Sequence, residues 1–157
     1  MTAPTPGDEA TALVESLRAL PAAMRAMPQW LLWRFMPGDP GKKPRKVPFY
    51  VSGRKRSGAQ GDEHDRAELK SFDIALDELA QGRYEGLGFA FLPGDGLIGI
   101  DIDGAITADG VVSERCQSII DACASYTECS PSGKGVHIIV AGSSETFKDN
   151  SIGLEVF

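Results

Sequence analysis

The sequence predicts one domain that contains both α-helices and β-strands. Three stretches place apolar residues at helical spacing, and several shorter stretches alternate apolar and polar residues as strands do. The chain has 157 residues, 42% of them hydrophobic, which is enough to bury a core. It shows no signal peptide and no apolar run near the roughly 20 residues of a membrane span. Its three cysteines lack metal-site spacing and fit a reducing compartment, so we expect a cytoplasmic protein.

The first half of the chain is predicted to form three helices and two strands. Residues 1–9 are polar and rich in Pro and Gly, which indicates a disordered tail before a domain at 10–157. Leucines at helical spacing predict a helix at 9–20. The other elements expected here are a short helical piece between Pro21 and Pro28, a strand at 29–35, a strand at 47–51, and a helix from Phe72 to Gly82.

The second half is predicted to be mostly strands. These are expected at 86–92, 97–104, 126–129, 136–141 and 152–157, with one helix capped by Ser113. Pro93-Gly94-Asp95-Gly96 is typical of a tight turn, so the strands at 86–92 and 97–104 are expected to form a β-hairpin.

The stretch Leu97–Gly104 is an apolar run interrupted by two aspartates. In a strand its three isoleucines face a core, while Asp101 and Asp103 share the other face. Two neighbouring carboxylates repel each other unless a cation lies between them, and carboxylate oxygens suit Mg²⁺ or Mn²⁺. A metal site is one interpretation. A strand that ends in a polar Asp-Gly turn is the other.

Two further polar positions lie on strands predicted later in the chain. His137 faces away from the apolar side of its strand, directly after a Gly-rich loop that contains Ser132 and Lys134. Backbone N–H groups in such a loop can approach phosphate oxygens. Glu155 alternates with apolar neighbours near the C-terminus. If these strands share one sheet, the acidic residues and His137 meet on its open face, where metal ions could bind a triphosphate.

The charge of the chain is unevenly distributed. The net charge is −6, yet residues 42–56 carry seven basic residues and no acid, which leaves −13 for the rest of the chain. This local basic stretch can contact a nucleic-acid backbone, or it can be a solvated loop. Its candidate nucleic-acid-binding residues are Lys42, Lys43, Arg45, Lys46, Arg54, Lys55 and Arg56.

Taken together, three short motifs resemble those of the archaeo-eukaryotic primase superfamily, and most of all the primase-polymerase domains of phages and plasmids. They are Asp-Ile-Asp at 101–103, Ser-Gly-Lys-Gly-Val-His at 132–137 and Leu-Glu-Val at 154–156. Longer similar pieces lie at 28–35, 42–49 and 126–137, so the resemblance covers roughly residues 25–157.

The resemblance implies an α+β fold: an RRM-like catalytic core with an antiparallel or mixed sheet, joined to an N-terminal αβ module. It implies metal-dependent nucleotidyl transfer from NTP or dNTP on single-stranded DNA during phage or plasmid replication. Asp101, Asp103 and Glu155 map onto the catalytic metal ligands of a two-metal site with Mg²⁺ or Mn²⁺. His137 maps onto the nucleotide-contacting histidine, with Ser132 and Lys134 in the same loop. A helicase domain or protein is an implied partner.

The chain departs from the family pattern at its end. Only two residues follow Glu155, so the family's C-terminal strands are expected to be missing and the strand carrying Glu155 to be weakly held. A non-catalytic nucleic-acid-binding or nucleotide-binding module of a replication protein is therefore an alternative. A haloacid-dehalogenase-like phosphatase is a third, because 100–105 resembles that family's nucleophile motif. The chain after Asp103 is too short for that fold.

Overall fold

A computed structural model describes residues 6–157, with side chains from residue 11 onward. The chain divides into two compact units, Met1–Ala90 (unit 1) and Phe91–Phe157 (unit 2). Unit 1 holds a three-stranded sheet and unit 2 a five-stranded sheet. All strand pairs in the described residues are antiparallel, so the fold is a mixture of α-helices and antiparallel β-sheets, in agreement with the predicted α+β class.

Unit 1 begins with two helices, and two more helices lie between the second and third strands of its sheet. The helices are α1 (Pro6–Arg18), α2 (Ala22–Arg25), α3 (Glu63–Glu68) and α4 (Phe72–Leu79). The strands are β1 (Trp30–Met36), β2 (Arg45–Phe49) and β3 (Gly86–Phe89), in the order β2-β1-β3. The Trp30 ring meets those of Phe72 on α4 and Phe89 on β3, at centroid distances of 5.0 and 5.1 Å. Trp30 is 2% exposed, so it is a core residue, which agrees with the buried strand predicted at 29–35.

Unit 2 consists of one helix and one sheet. Its elements are β4 (Leu97–Ile102), α5 (Glu114–Cys123), β5 (Tyr126–Cys129), β6 (Val136–Ala141), β7 (Phe147–Asp149) and β8 (Leu154–Val156). The sheet order is β5-β6-β4-β8-β7. Its buried core includes Ile102, Val136 and Ile138 of the sheet and Cys116 of α5. The predicted cap is confirmed, because the Ser113 hydroxyl accepts a hydrogen bond from the Cys116 N–H at 3.3 Å.

The predicted β3–β4 hairpin is wrong. β3 pairs with β1, and β4 pairs with β6 and β8. Gly86 lies opposite Trp33, and a Cβ there would stand 2.6 Å from the indole nitrogen, so this glycine admits the Trp33 ring. The turn is held instead by the Asp95 carboxylate, which accepts hydrogen bonds from the N–H groups of Leu92 and Leu97.

Other differences concern element ends and short elements. Residues 1–5 of the expected tail lie outside the described residues, whereas 6–9 belong to α1, which begins at Pro6, a residue favoured in the first helical turn. Two elements, α3 and β7, were not predicted, because they are only six and three residues long. β8 lies between β4 and β7, and Phe157 continues the pairing by exchanging backbone hydrogen bonds with Gly99. The strand carrying Glu155 is therefore held on both sides.

No helix in the part of the chain that the structure describes is long and apolar enough to cross a membrane.

Candidate active site

Five polar side chains form one row across all five strands of unit 2. The strand registers place Glu128 opposite His137, His137 opposite Asp101, Asp101 opposite Glu155, and Glu155 opposite Lys148. We call this set the polar row. Residues opposite each other in a sheet share a face, so the five side chains of the row lie on one face, opposite the face that packs on the core.

The polar row follows from alternation along the strands. The flanking positions Ile100, Ile102, Val136, Ile138, Leu154 and Val156 are all apolar. Five of these six pack in the core that includes Cys116 of α5, and the sixth, Val156, is also buried. The intervening polar side chains therefore lie on the opposite face, because strand side chains alternate. Of the four residues predicted to meet on one open face, this register brings together Asp101, His137 and Glu155. The fourth, Asp103, lies in the turn after β4, because the strand ends at Ile102.

At one end of the row, Glu128 orients His137. The Glu128 carboxylate lies 3.1 Å from His137 Nδ1 and accepts a hydrogen bond from the Tyr126 hydroxyl at 2.8 Å. Burial and this hydrogen bond raise the pKa of the Tyr126 hydroxyl, which is the donor to Glu128. With Nδ1 facing Glu128, the other ring nitrogen, Nε2, faces Asp101 at 3.7 Å. His137 is thereby set to present Nε2 to the centre of the row.

At the other end, Lys148 binds Glu155. The ammonium donates a hydrogen bond to Glu155 Oε2 at 2.9 Å. The two residues lie directly opposite on β7 and β8, and both side chains are partly exposed.

The centre of the row is the one place where like charges are neighbours. Asp101 and Glu155 are directly opposite on β4 and β8, an arrangement that destabilises a sheet unless a cation compensates it. Asp103 lies two residues beyond Asp101, and its N–H donates to the Gly153 carbonyl at 2.8 Å. Carboxylate oxygens are suitable ligands for Mg²⁺ or Mn²⁺. The donor types of these three carboxylates therefore fit a divalent ion. We call Asp101, Asp103 and Glu155 the acidic centre.

The donors are not gathered into a finished metal site. Among the side chains that the structure describes, from residue 11 onward, no three of His, Cys, Asp or Glu lie close enough together to hold a metal ion. Glu155 is held by Lys148, and Asp101 faces His137. Metal binding by Asp101, Asp103 and Glu155 thus stays a prediction, and it requires these side chains to change rotamer.

A cavity of about 370 Å³ lies on the helix side of the sheet, and of the three candidate metal ligands Asp103 alone lines it. It lies in unit 2, between the end of β4 and the first turn of α5. Its lining includes Asp103, Ser113, Arg115, Cys116 and Leu154. Arg115 could not be predicted as a lining residue, because a single basic residue in a helix has no pattern that marks it.

The loop before β6 is a tight, internally bonded turn. The Ser130 and Ser132 hydroxyls lie 2.9 Å apart, and Ser132 also accepts from the Lys134 N–H at 3.3 Å. Gly133 has φ +70°, which favours glycine. Ser132 thus shapes the loop, while Lys134 is exposed on it.

The seven basic residues of 42–56 have different environments within unit 1. Arg56 is 12% exposed and pairs with the buried Asp65, and Arg54 pairs with Glu68. The Lys46 ammonium lies 4.4 Å from the centroid of the Trp33 ring. The side chains exposed on this stretch include Lys42, Lys43, Arg45 and Lys55. The basic stretch is therefore partly a structural anchor and partly an exposed charged surface.

Glu128 and Lys148 are the two members of the polar row that were not predicted as site residues. Glu128 carried a signal, since it alternates with Thr127 and Cys129 on a predicted strand whose next strand carries His137. Lys148 did not, because a three-residue strand between polar residues has no recognisable periodicity.

Comparison with known proteins supports the resemblance. No protein-family model matches the chain. A curated relative does match, and its similarity confirms the predicted resemblance to a primase-polymerase-like domain. That relative is the DNA Primase-polymerase of Nitratiruptor phage NrS-1, which is 27% identical over 142 residues. The matched region covers 86% of this chain but only 18% of the relative's length.

Proposed function

We propose that this chain is the nucleotidyl-transfer domain of a DNA primase-polymerase that acts in phage or plasmid replication. The observation that carries the proposal is the polar row, which brings residues from all three predicted motifs into register on one sheet face. The similarity to a curated primase-polymerase supports it.

The topology of unit 2 supports an RRM-like core. β4, α5 and β5 follow one another in the chain, while β6 lies between β4 and β5 in the sheet. This is a split βαβ arrangement, which leaves one face of the sheet to the helix and the other to ligands. We interpret unit 1 as the N-terminal αβ module.

In the proposed reaction, Asp101, Asp103 and Glu155 would hold one or two Mg²⁺ or Mn²⁺ ions. Bound there, such ions would stabilise the charge that develops on the triphosphate during in-line displacement. His137 would donate from Nε2 to a phosphate oxygen in its doubly protonated form, in which Nδ1–H donates to Glu128. Lys134 and the backbone N–H groups of the loop held by Ser132 would bind the remaining phosphate charge.

The exposed basic residues of 42–56 would bind the phosphates of a single-stranded DNA template. Because the chain spans only 18% of its relative, we expect other regions or proteins, such as a helicase, to act beside it in the cytoplasm of a bacterial or phage-infected cell, while nucleotidyl transfer itself takes place on this chain.

One observation favours a second candidate, a nucleic-acid-binding or nucleotide-binding module without catalysis. It is the absence, within the described residues, of gathered metal ligands. A metal titration separates the two candidates directly.

We expect Mn²⁺ to bind the protein in isothermal titration, and to bind more tightly when a nucleoside triphosphate is present, because the two ligands share one site. The double variant Asp101→Ala/Asp103→Ala should lose both effects. A matched control, Asp109→Ala/Asp121→Ala, removes two exposed carboxylates from unit 2 outside the row and should bind as the wild type does. Absence of Mn²⁺ binding in a folded wild-type sample would refute the catalytic proposal and leave the binding module.

A second prediction concerns the template. Charge reversal of the exposed Lys42 and Lys43 should weaken binding to single-stranded DNA and flatten its dependence on salt. Each lost phosphate contact should reduce the slope of log K against log salt by about 0.7. Fluorescence anisotropy at several salt concentrations measures this slope.

The control for the template is Arg18→Glu/Lys70→Glu, which changes the net charge by the same amount outside the basic stretch. It should leave the slope closer to that of the wild type. Equal slopes for the wild type and the Lys42/Lys43 variant would remove these lysines from the DNA interface.

A further inference from the structure

Lys148 is the cation of the polar row that no predicted motif includes. It lies on β7 directly opposite Glu155, and its ammonium donates to Glu155 Oε2 at 2.9 Å. The Lys148 side chain is 55% exposed, so its four-carbon stem can turn without disturbing the core.

The charge around Lys148 explains why it points into the row. Its hydrogen bond to Glu155, and then the charges of Glu155, Asp103 and Asp101, raise the pKa of its ammonium. Three carboxylates thus act on one lysine. Without another cation, Lys148 offsets part of the repulsion between Asp101 and Glu155 on adjacent strands.

The carboxylate of Glu155 that binds Lys148 is also one of the predicted metal ligands. A divalent ion bound to either oxygen of Glu155 would repel the Lys148 ammonium, which lies 2.9 Å from Oε2, and would therefore weaken this hydrogen bond. The released ammonium would lie beside the acidic centre, where the phosphates of a nucleotide would be bound, and an ammonium is an effective phosphate ligand.

We propose that Lys148 is an exchangeable counter-ion, which neutralises Glu155 in the metal-free protein and binds the phosphates of a nucleoside triphosphate once Glu155 ligates a metal ion. This proposal rests on the proposed function. It assigns Lys148 a direct contact with substrate that the three motifs do not contain.

The proposal predicts that Lys148→Met changes two affinities in opposite directions. Mn²⁺ alone should bind about fivefold more tightly, because a competing positive charge is gone. At saturating Mn²⁺, ATP and dATP should bind about tenfold more weakly, because a charge-assisted hydrogen bond to phosphate is lost. Isothermal titration measures both affinities, and circular dichroism verifies the fold. Lys148→Arg should restore most of the nucleotide affinity.

Lys70→Met is the matched control, since it removes one lysine from unit 1 that donates to a backbone carbonyl, that of Ala67. It should change neither affinity. If Lys148→Met tightens both affinities or changes neither while the wild type binds both ligands, the exchange proposal is wrong. If the wild type itself binds neither Mn²⁺ nor nucleotide, the proposed function fails first, so the two failures are distinguishable.

Discussion

Asp101→Asn is expected to lower primer extension by about a thousandfold or more without unfolding the protein. The substitution removes one negative ligand from the acidic centre. Stabilisation of transition-state charge by a bound metal amounts to several kcal/mol, and about 4 kcal/mol corresponds to a thousandfold in rate. Incorporation of labelled nucleotides on single-stranded DNA with Mn²⁺ measures the loss.

The same substitution should leave the thermal midpoint unchanged or raise it. Asp101 lies opposite Glu155, and an amide in its place removes the like-charge repulsion between the two strands. Activity and stability are therefore expected to change in opposite directions, which is typical of a residue kept for function. Glu155→Gln should also abolish extension, although it additionally weakens the bond from Lys148.

Asp109→Asn provides the matched control, because it removes an exposed carboxylate of unit 2 that is not in the polar row. It should extend primers at the wild-type rate. Wild-type activity in Asp101→Asn would show that the acidic centre is not catalytic. Wild-type protein that shifts DNA mobility yet extends no primer would instead identify a binding module.

The parts of this site that could be predicted are those that a short run of consecutive residues determines. The alternation in Leu97–Gly104 gave the inward isoleucines and the outward aspartates, because strand geometry is a property of a few consecutive residues. The sequence order of the three motifs indicated that Asp101, His137 and Glu155 converge. Their actual register, with all three in one row, became visible only when the strands were paired.

The rest could not be predicted, since strand pairing is not local. A turn such as Pro93–Gly96 predicts a hairpin, but β3 pairs with β1 over fifty residues away. Charge presents the same problem. Arg56 lies in a stretch that resembles a uniform basic surface, yet it is the one of the seven basic residues that pairs with the buried Asp65. A sequence gives the charge of a side chain but not its partner.

Of the substitutions proposed for this protein, Asp65→Asn is expected to lower the free energy of unfolding most, because it breaks a buried ion pair. Asp65 is 1% exposed, and its carboxylate accepts hydrogen bonds from the Tyr50 hydroxyl, two nitrogens of Arg56 and the Gly61 N–H, all within 2.9 Å. Replacing one partner of a buried pair leaves the other charge uncompensated, which costs about 3–5 kcal/mol. Urea unfolding at pH 7, followed by tryptophan fluorescence from Trp30 and Trp33 in the same unit, measures this loss.

The exposed pair of Glu68 and Arg54 provides the control. Arg54 is 60% exposed, so Glu68→Gln should change stability little by comparison. A loss in Asp65→Asn no larger than in Glu68→Gln would mean that the pair with Arg56 does not hold this part of unit 1 together.

The stabilisation by Asp65 should also depend on pH in a defined direction. Hydrogen bonds from Arg56, with further ones from Gly61 and Tyr50, hold the pKa of Asp65 well below its usual value, although burial alone would raise it. Because the folded state lowers this pKa, the contribution of Asp65 is fully present above its unfolded value of about 3.9 and is lost as the pH falls below it. The difference in unfolding free energy between the wild type and Asp65→Asn should therefore be constant from pH 7 to about pH 5 and shrink below about pH 4. A difference that begins to shrink near neutral pH would assign the effect to another titrating group.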